Sequence, residues 1–111
     1  MMSTASPPLL MEASPQLANE LQELLKGHNE SQLAAEVPAL RIVDRCRCGD
    51  DFCATLYTQP KPKRTYPPGT RSLDLNPDKG MLILVVVNGK IACVEALYRD
   101  EIRRVLHSIL P

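Results

Sequence analysis

The sequence predicts an α+β domain: an N-terminal helical hairpin and a C-terminal helix packed on a mainly antiparallel sheet of four to five strands. Leucines recur at helical spacing after Pro15, a period of two takes over from Leu40, and an Asn-Gly dipeptide separates two apolar runs at residues 81–87 and 90–98. Helices, then strands, then a helix, without strict alternation, belong to this class rather than to parallel α/β folds. A chain of 111 residues has room for one domain, and 44% hydrophobic residues with zero formal charge separate it from disordered chains. Residues 15–111 are expected to form that domain.

Residues 1–14 lack both the basic start and the continuous apolar stretch of a secretory signal, and read as a disordered tail on a cytoplasmic protein. Ser14 stands where an N-cap is wanted, and the missing N–H of Pro15 suits a first helical turn. Leu17, Leu21, Leu24 and Leu25 form one stripe, and Gly27 follows at the position for a left-handed C-terminal residue. Asn29 with Gln32 has capping-box spacing ahead of Leu33, Ala34 and Val37, predicting a short second helix that Pro38 stops.

From Leu40 the chain alternates. Leu40, Ile42, Asp44, Cys46 and Cys48 share one face, and Arg41, Val43, Arg45 and Arg47 the other. Gly49, Asp50 and Asp51 supply turn chemistry before a return strand over residues 52–58. Four prolines make residues 59–70 a loop, because proline cannot donate to a ladder. Residues 71–75 then suit a short edge strand. The turn at Asn88-Gly89 needs positive φ at both central residues, which these two types adopt at least cost. Strict alternation from that turn sets Val87 opposite Lys90, Val85 opposite Ala92, Leu84 opposite Cys93 and Leu82 opposite Glu95. Asp100 is expected to cap a last helix striped by Ile102, Val105, Leu106 and Ile109.

The least random feature is the thiol cluster Cys46, Cys48 and Cys53. As thiolates these can hold zinc tetrahedrally, with Cys93, His28 or His107 as a fourth ligand if the fold supplies it. The spacing is not that of paired CxxC knuckles. Simple burial as small hydrophobes, a redox disulfide and a catalytic nucleophile stay open as alternatives. The last lacks a base, since neither histidine stands in a recognisable pairing with a cysteine. Glu95 interrupts an apolar strand; it is a candidate proton acceptor or ligand, or a solvated edge residue paired with Arg99. Phosphate loops, nucleophile elbows, HExxH helices and dinucleotide fingerprints are absent from the sequence.

Charge is segregated although it sums to zero. Five glutamates face one lysine over residues 1–40, and seven bases face three acids over residues 41–72. The basic part comprises the Arg41, Arg45, Arg47 row and Lys61, Lys63 and Arg64 on the proline-rich loop. With Tyr57 and Tyr66 these would suit single-stranded nucleic acid, but neutrality argues against a surface that steers toward polyanions as a whole. The longest strictly apolar run, residues 81–87, is far short of the roughly 20 residues of a membrane span.

The run Arg45-Cys46-Arg47-Cys48-Gly49, with Cys53 close behind and then the hydrophobic hairpin with Asn88-Gly89 and Glu95, resembles small uncharacterised bacterial domains with a CxCG segment and a C-terminal hydrophobic β-hairpin. The resemblance covers residues 38–98. It implies a bacterial cytoplasmic setting and transfers no activity or functional residue. The expectation is a non-enzymatic domain that binds another macromolecule, a protein, through Arg41, Arg45, Arg47, Lys61, Lys63 and Arg64. The alternatives are a zinc-binding module using Cys46, Cys48, Cys53 and Cys93, and a small enzyme using Glu95 or a cysteine.

Overall fold

The computed structural model describes residues 6–110. Its elements are α1 (Leu10–Ala13), α2 (Pro15–Gly27), α3 (Ser31–Glu36) with a 3-10 turn (Val37–Ala39), β1 (Asp44–Arg45), β2 (Leu56–Tyr57), β3 (Arg71–Asp74), β4 (Met81–Val87), β5 (Lys90–Leu97) and α4 (Asp100–Ile109). The five strands form one antiparallel sheet in the order β1-β2-β5-β4-β3, so the Asn88-Gly89 hairpin is central and the fold is α+β as the patterning predicts. One face of the sheet presents Leu56, Leu82, Leu84, Val86, Ile91, Val94 and Ala96 to the buried residues of α2, α3 and α4, closing a single core that runs from Leu10 to Leu106.

That core begins earlier than expected. Leu10 is fully buried, its N–H donates to the Leu40 carbonyl at 2.9 Å, and the Ile42 N–H donates to Pro8 at 2.8 Å. Residues 6–14 are therefore packed rather than a tail, because Leu9 and Leu10 add an apolar surface that the edge near Leu40 covers. Residues 1–5 lie outside the described residues.

Helix capping also differs. Ser14 occupies the N-cap of α2 without a side-chain hydrogen bond, and Gly27 stays helical. The left-handed residue is Asn29 at φ 60°. Glu30 N–H donates to Leu25 O at 2.8 Å and Asn29 N–H to Lys26 O at 3.1 Å, the bond pair of a Schellman motif with Asn29 in the position usually held by glycine. Asn29 thus ends α2 instead of starting α3, whose N-cap is Glu30. Arg99, not Asp100, is the N-cap of α4, and Asp100 pairs with Arg104 one turn on.

The central hairpin slips from strict alternation. Val87 faces Lys90 and Val86 faces Ile91, but Val85 then faces Cys93, Leu84 faces Val94 and Ile83 faces Glu95. Ala92 is the extra residue of a β-bulge, and its carbonyl accepts the Thr58 and Gln59 N–H groups instead. The slip lets Ile91, Val94 and Ala96 all enter the core, at 0–1% exposure each. Perfect alternation would have turned Ile91 away with Cys93 and Glu95.

Candidate metal centre

Residues 43–58 form the first hairpin, which pairs more sparsely than its alternation predicts. Asp44 faces Tyr57 and Arg45 faces Leu56, and the Cys46 N–H donates to Thr55 O at 3.0 Å. On the other side, Leu56 faces Val94, Tyr57 faces Cys93 and Cys53 faces Leu97. Continuing both registers puts Thr55 between Cys46 on one side and Glu95 on the other, on the face of the sheet away from the helices. Glu95 is therefore not at an edge: it projects exposed from the central strand β5, and its side chain makes no hydrogen bond or ion pair with any described residue. Arg99, its expected partner, is only 7% exposed at its side chain and is held by Glu20 at 2.5 Å and Glu101 at 2.8 Å.

Beside Thr55 the loop brings three thiols together. The Cys46, Cys48 and Cys53 sulfurs all lie within 4.8 Å of one another. Gly49, at φ 85°, turns the loop so that the Asp50 N–H reaches the Cys48 sulfur while the Asp50 carbonyl takes the Cys53 N–H at 3.2 Å. A zinc–sulfur bond of about 2.3 Å gives a tetrahedral edge of about 3.8 Å, so the spacing is close to that of three ligands on one ion. Cys48 is exposed, and Cys46 and Cys53 are half-buried.

The sulfurs are not equivalent. Burial would raise the Cys53 thiol, but the Thr55 N–H and hydroxyl and the Cys48 and Cys46 thiols donate to it and hold it below the usual thiol range. Cys48 feels the Asp50 N–H, yet its bonds to Cys46 and Cys53 and the charge of Cys53 push it up to about 11. Cys53, with the most hydrogen-bond donors turned toward it, is the thiol of the group most readily given up to a soft cation.

Cys93 does not join them. It is 2% exposed beneath Tyr66, whose hydroxyl donates to its sulfur, and burial followed by the Glu95 charge pushes its thiol up to about 12. It lies four residues along β5 from Leu97, which faces Cys53, and its sulfur is not among those that lie within 4.8 Å of one another. Neither histidine reaches either. His28 Nε2 bonds Leu75 O at 3.0 Å beside β3, and His107 Nε2 meets Arg45 on the helical side of β1, opposite the thiol face.

The cationic residues are divided rather than collected. Arg41 donates to Pro7 O at 2.6 Å, Arg45 points to α4, and Arg47 folds back onto Asp44, crossing to the thiol side. Lys61 sits 5.8 Å over the Tyr57 ring, and Lys63 and Arg64 are exposed on the loop. The arginine row read from alternation ends at Arg45, the last residue of β1, and Arg47 lies beyond it.

Two features escaped sequence reading. Thr55 supports Cys53, and its only signal was its place two residues on, which in a strand is the same face. The exposed Phe52 and Tyr98 rings stack at 5.3 Å, joined by the Tyr98 N–H to Phe52 O bond at 2.8 Å. Two open clefts, of about 350 Å³ beside Arg41 and Lys90 and about 320 Å³ beside Phe52 and Arg99, are lined by neither Glu95 nor a thiol. Among the described residues no helix is long and apolar enough to cross a membrane. No protein family, curated protein or solved structure matches the chain.

Proposed function

We propose that the protein is a small zinc-binding module in which Cys46, Cys48 and Cys53 hold the ion. The convergence of three sulfurs within 4.8 Å carries this reading, because burial alone does not require cysteines two, five and seven positions apart in the chain to meet at one partly exposed point. Zinc accepts thiolate ligands in a tetrahedron and needs no redox change, which suits a site that ties the β1–β2 connection to itself. Zinc titration against a chromophoric chelator tests it. Cys46→Ser, Cys48→Ser and Cys53→Ser should each weaken binding by at least about tenfold, whereas Cys93→Ser should leave it intact. Equal binding by all four variants would sink the reading.

A second reading concerns what the staple presents. Phe52 lies inside the cysteine-bracketed loop, 43% exposed, and stacks on Tyr98, 61% exposed. Tyr98 adopts φ 60°, a conformation that costs a bulky residue about 1–3 kcal/mol, for a ring that stays in water. An exposed aromatic pair held at such cost suits a contact with a protein partner, and it replaces the divided arginines as the support for macromolecular binding. Phe52→Ala with Tyr98→Ala should abolish co-purification of any specific partner; an unchanged set of partners contradicts it.

A further inference from the structure

We propose that Glu95 is the fourth ligand of the thiol site and strengthens its hold on zinc without strengthening its hold on monovalent copper. This rests on the reading of Cys46, Cys48 and Cys53 as a metal site. Glu95 stands opposite Thr55 and diagonal to Cys53, which faces Leu97, and diagonal neighbours about 7–8 Å apart are within reach of a long side chain. Cys46 approaches the same Thr55 from the other side. The carboxylate lies outside the 4.8 Å group as it stands, exposed and free to turn inward.

The other donors are committed or distant: Cys93 is under Tyr66, His28 is on Leu75, and His107 is across the sheet. Asp44 is held by Arg47 and Asp51 lies 3.8 Å from Arg103, which leaves Asp50 as the competitor beside the thiols. Its backbone is fixed at both ends, by Cys48 and by Cys53, and its shorter side chain is exposed on the loop. Glu95, by contrast, breaks an apolar central strand without a partner, and a ligand role accounts for a carboxylate there.

Three thiolates and one carboxylate make a four-coordinate shell that zinc accepts, its thiols giving up their protons to solvent on binding. Monovalent copper is satisfied by soft sulfur and gains little from a carboxylate. An ion held this way would bridge β1, the loop and the central strand β5, not the loop alone.

The test measures zinc and monovalent copper affinities by chelator competition, with cobalt spectra, for the wild type, Glu95→Gln, Glu95→Cys and Asp50→Asn. Glu95→Gln should lose at least about tenfold in zinc affinity while copper binding is unchanged. Glu95→Cys should strengthen the sulfur-to-cobalt charge-transfer band by adding a fourth thiolate, a readout that a purely structural role would not move. Wild-type zinc affinity in Glu95→Gln, or the loss appearing in Asp50→Asn instead, overturns the proposal and leaves the three-cysteine reading standing. Failure of the wild type itself to bind zinc or cobalt overturns both.

Discussion

Thr55 is where the thiol cluster and the sheet meet. Its Oγ accepts the Ala96 N–H at 3.3 Å while its hydroxyl and N–H serve Cys53, and the residue is 8% exposed. Thr55→Val keeps the shape and the backbone N–H to Cys53 but removes both bonds of the hydroxyl, leaving the Ala96 N–H unpaired. Denaturant titration should show a loss of about 1–3 kcal/mol, and zinc affinity should fall by about 10–100-fold, because groups that orient ligands carry costs of that size. Asn29 permits an equally local check. As the left-handed residue that ends α2, it should tolerate glycine, whereas Asn29→Ser should cost about 1 kcal/mol. A harmless serine would restore the capping-box reading. At this scale the sequence is ambiguous by nature: Asn is a good N-cap and a good left-handed residue, and only the bonds to Leu25 and Lys26 decide between the two.

Elements were more legible. The Asn88-Gly89 hairpin, the α2 stripe and the edge position of β3 all follow from periodicity and turn chemistry, signals that depend on few distant contacts. The bulge at Ala92 was not readable, because either register satisfies the local pattern and only the shared core chooses the one that buries Ile91 with Val94. The first hairpin was over-read for a related reason: alternation persists through Cys48, yet Arg47 turns back to Asp44 once β1 ends at Arg45. The N-terminal segment shows how a short apolar pair can be missed, since Leu9 and Leu10 have no period of their own. Leu10→Ala should lower stability by about 2–5 kcal/mol, the cost of truncating a fully buried leucine; a change below about 0.5 kcal/mol would mean that α1 does not belong to the core.

Among the described residues, ion pairs join distant parts of the chain. Arg71 pairs with Glu30, linking β3 to the start of α3, and Arg99 joins Glu20 of α2 to Glu101 of α4. The Arg71 hydrogen bond holds the Glu30 carboxyl below its ordinary 4.5, and for Glu101 the Arg99 bond does so against the opposing effect of burial. Carboxyls lowered on folding contribute stability that is present above pH 4.5 and lost as pH falls through their folded values. With metal chelated, these pairs should therefore add a constant amount to the melting temperature between about pH 7 and 5.5, and that contribution should fall away below 4.5; Arg71→Gln and Arg99→Gln should blunt that acid drop. The thiol site belongs to this scale too, because the register of β1, β2 and β5 decides which donors from elsewhere in the chain come near it. Clustering of the cysteines was visible in the sequence, but the exclusion of Cys93, His28 and His107 was not, since it follows from strand offset and sheet face.

Elemental analysis of untagged protein, exchanged through zinc-containing reducing buffer and then desalted, tests the central claim most directly. One zinc per chain in the wild type, lost together in Cys46→Ser, Cys48→Ser and Cys53→Ser, is the predicted result. Folded wild-type protein that retains no metal after this treatment would contradict the account.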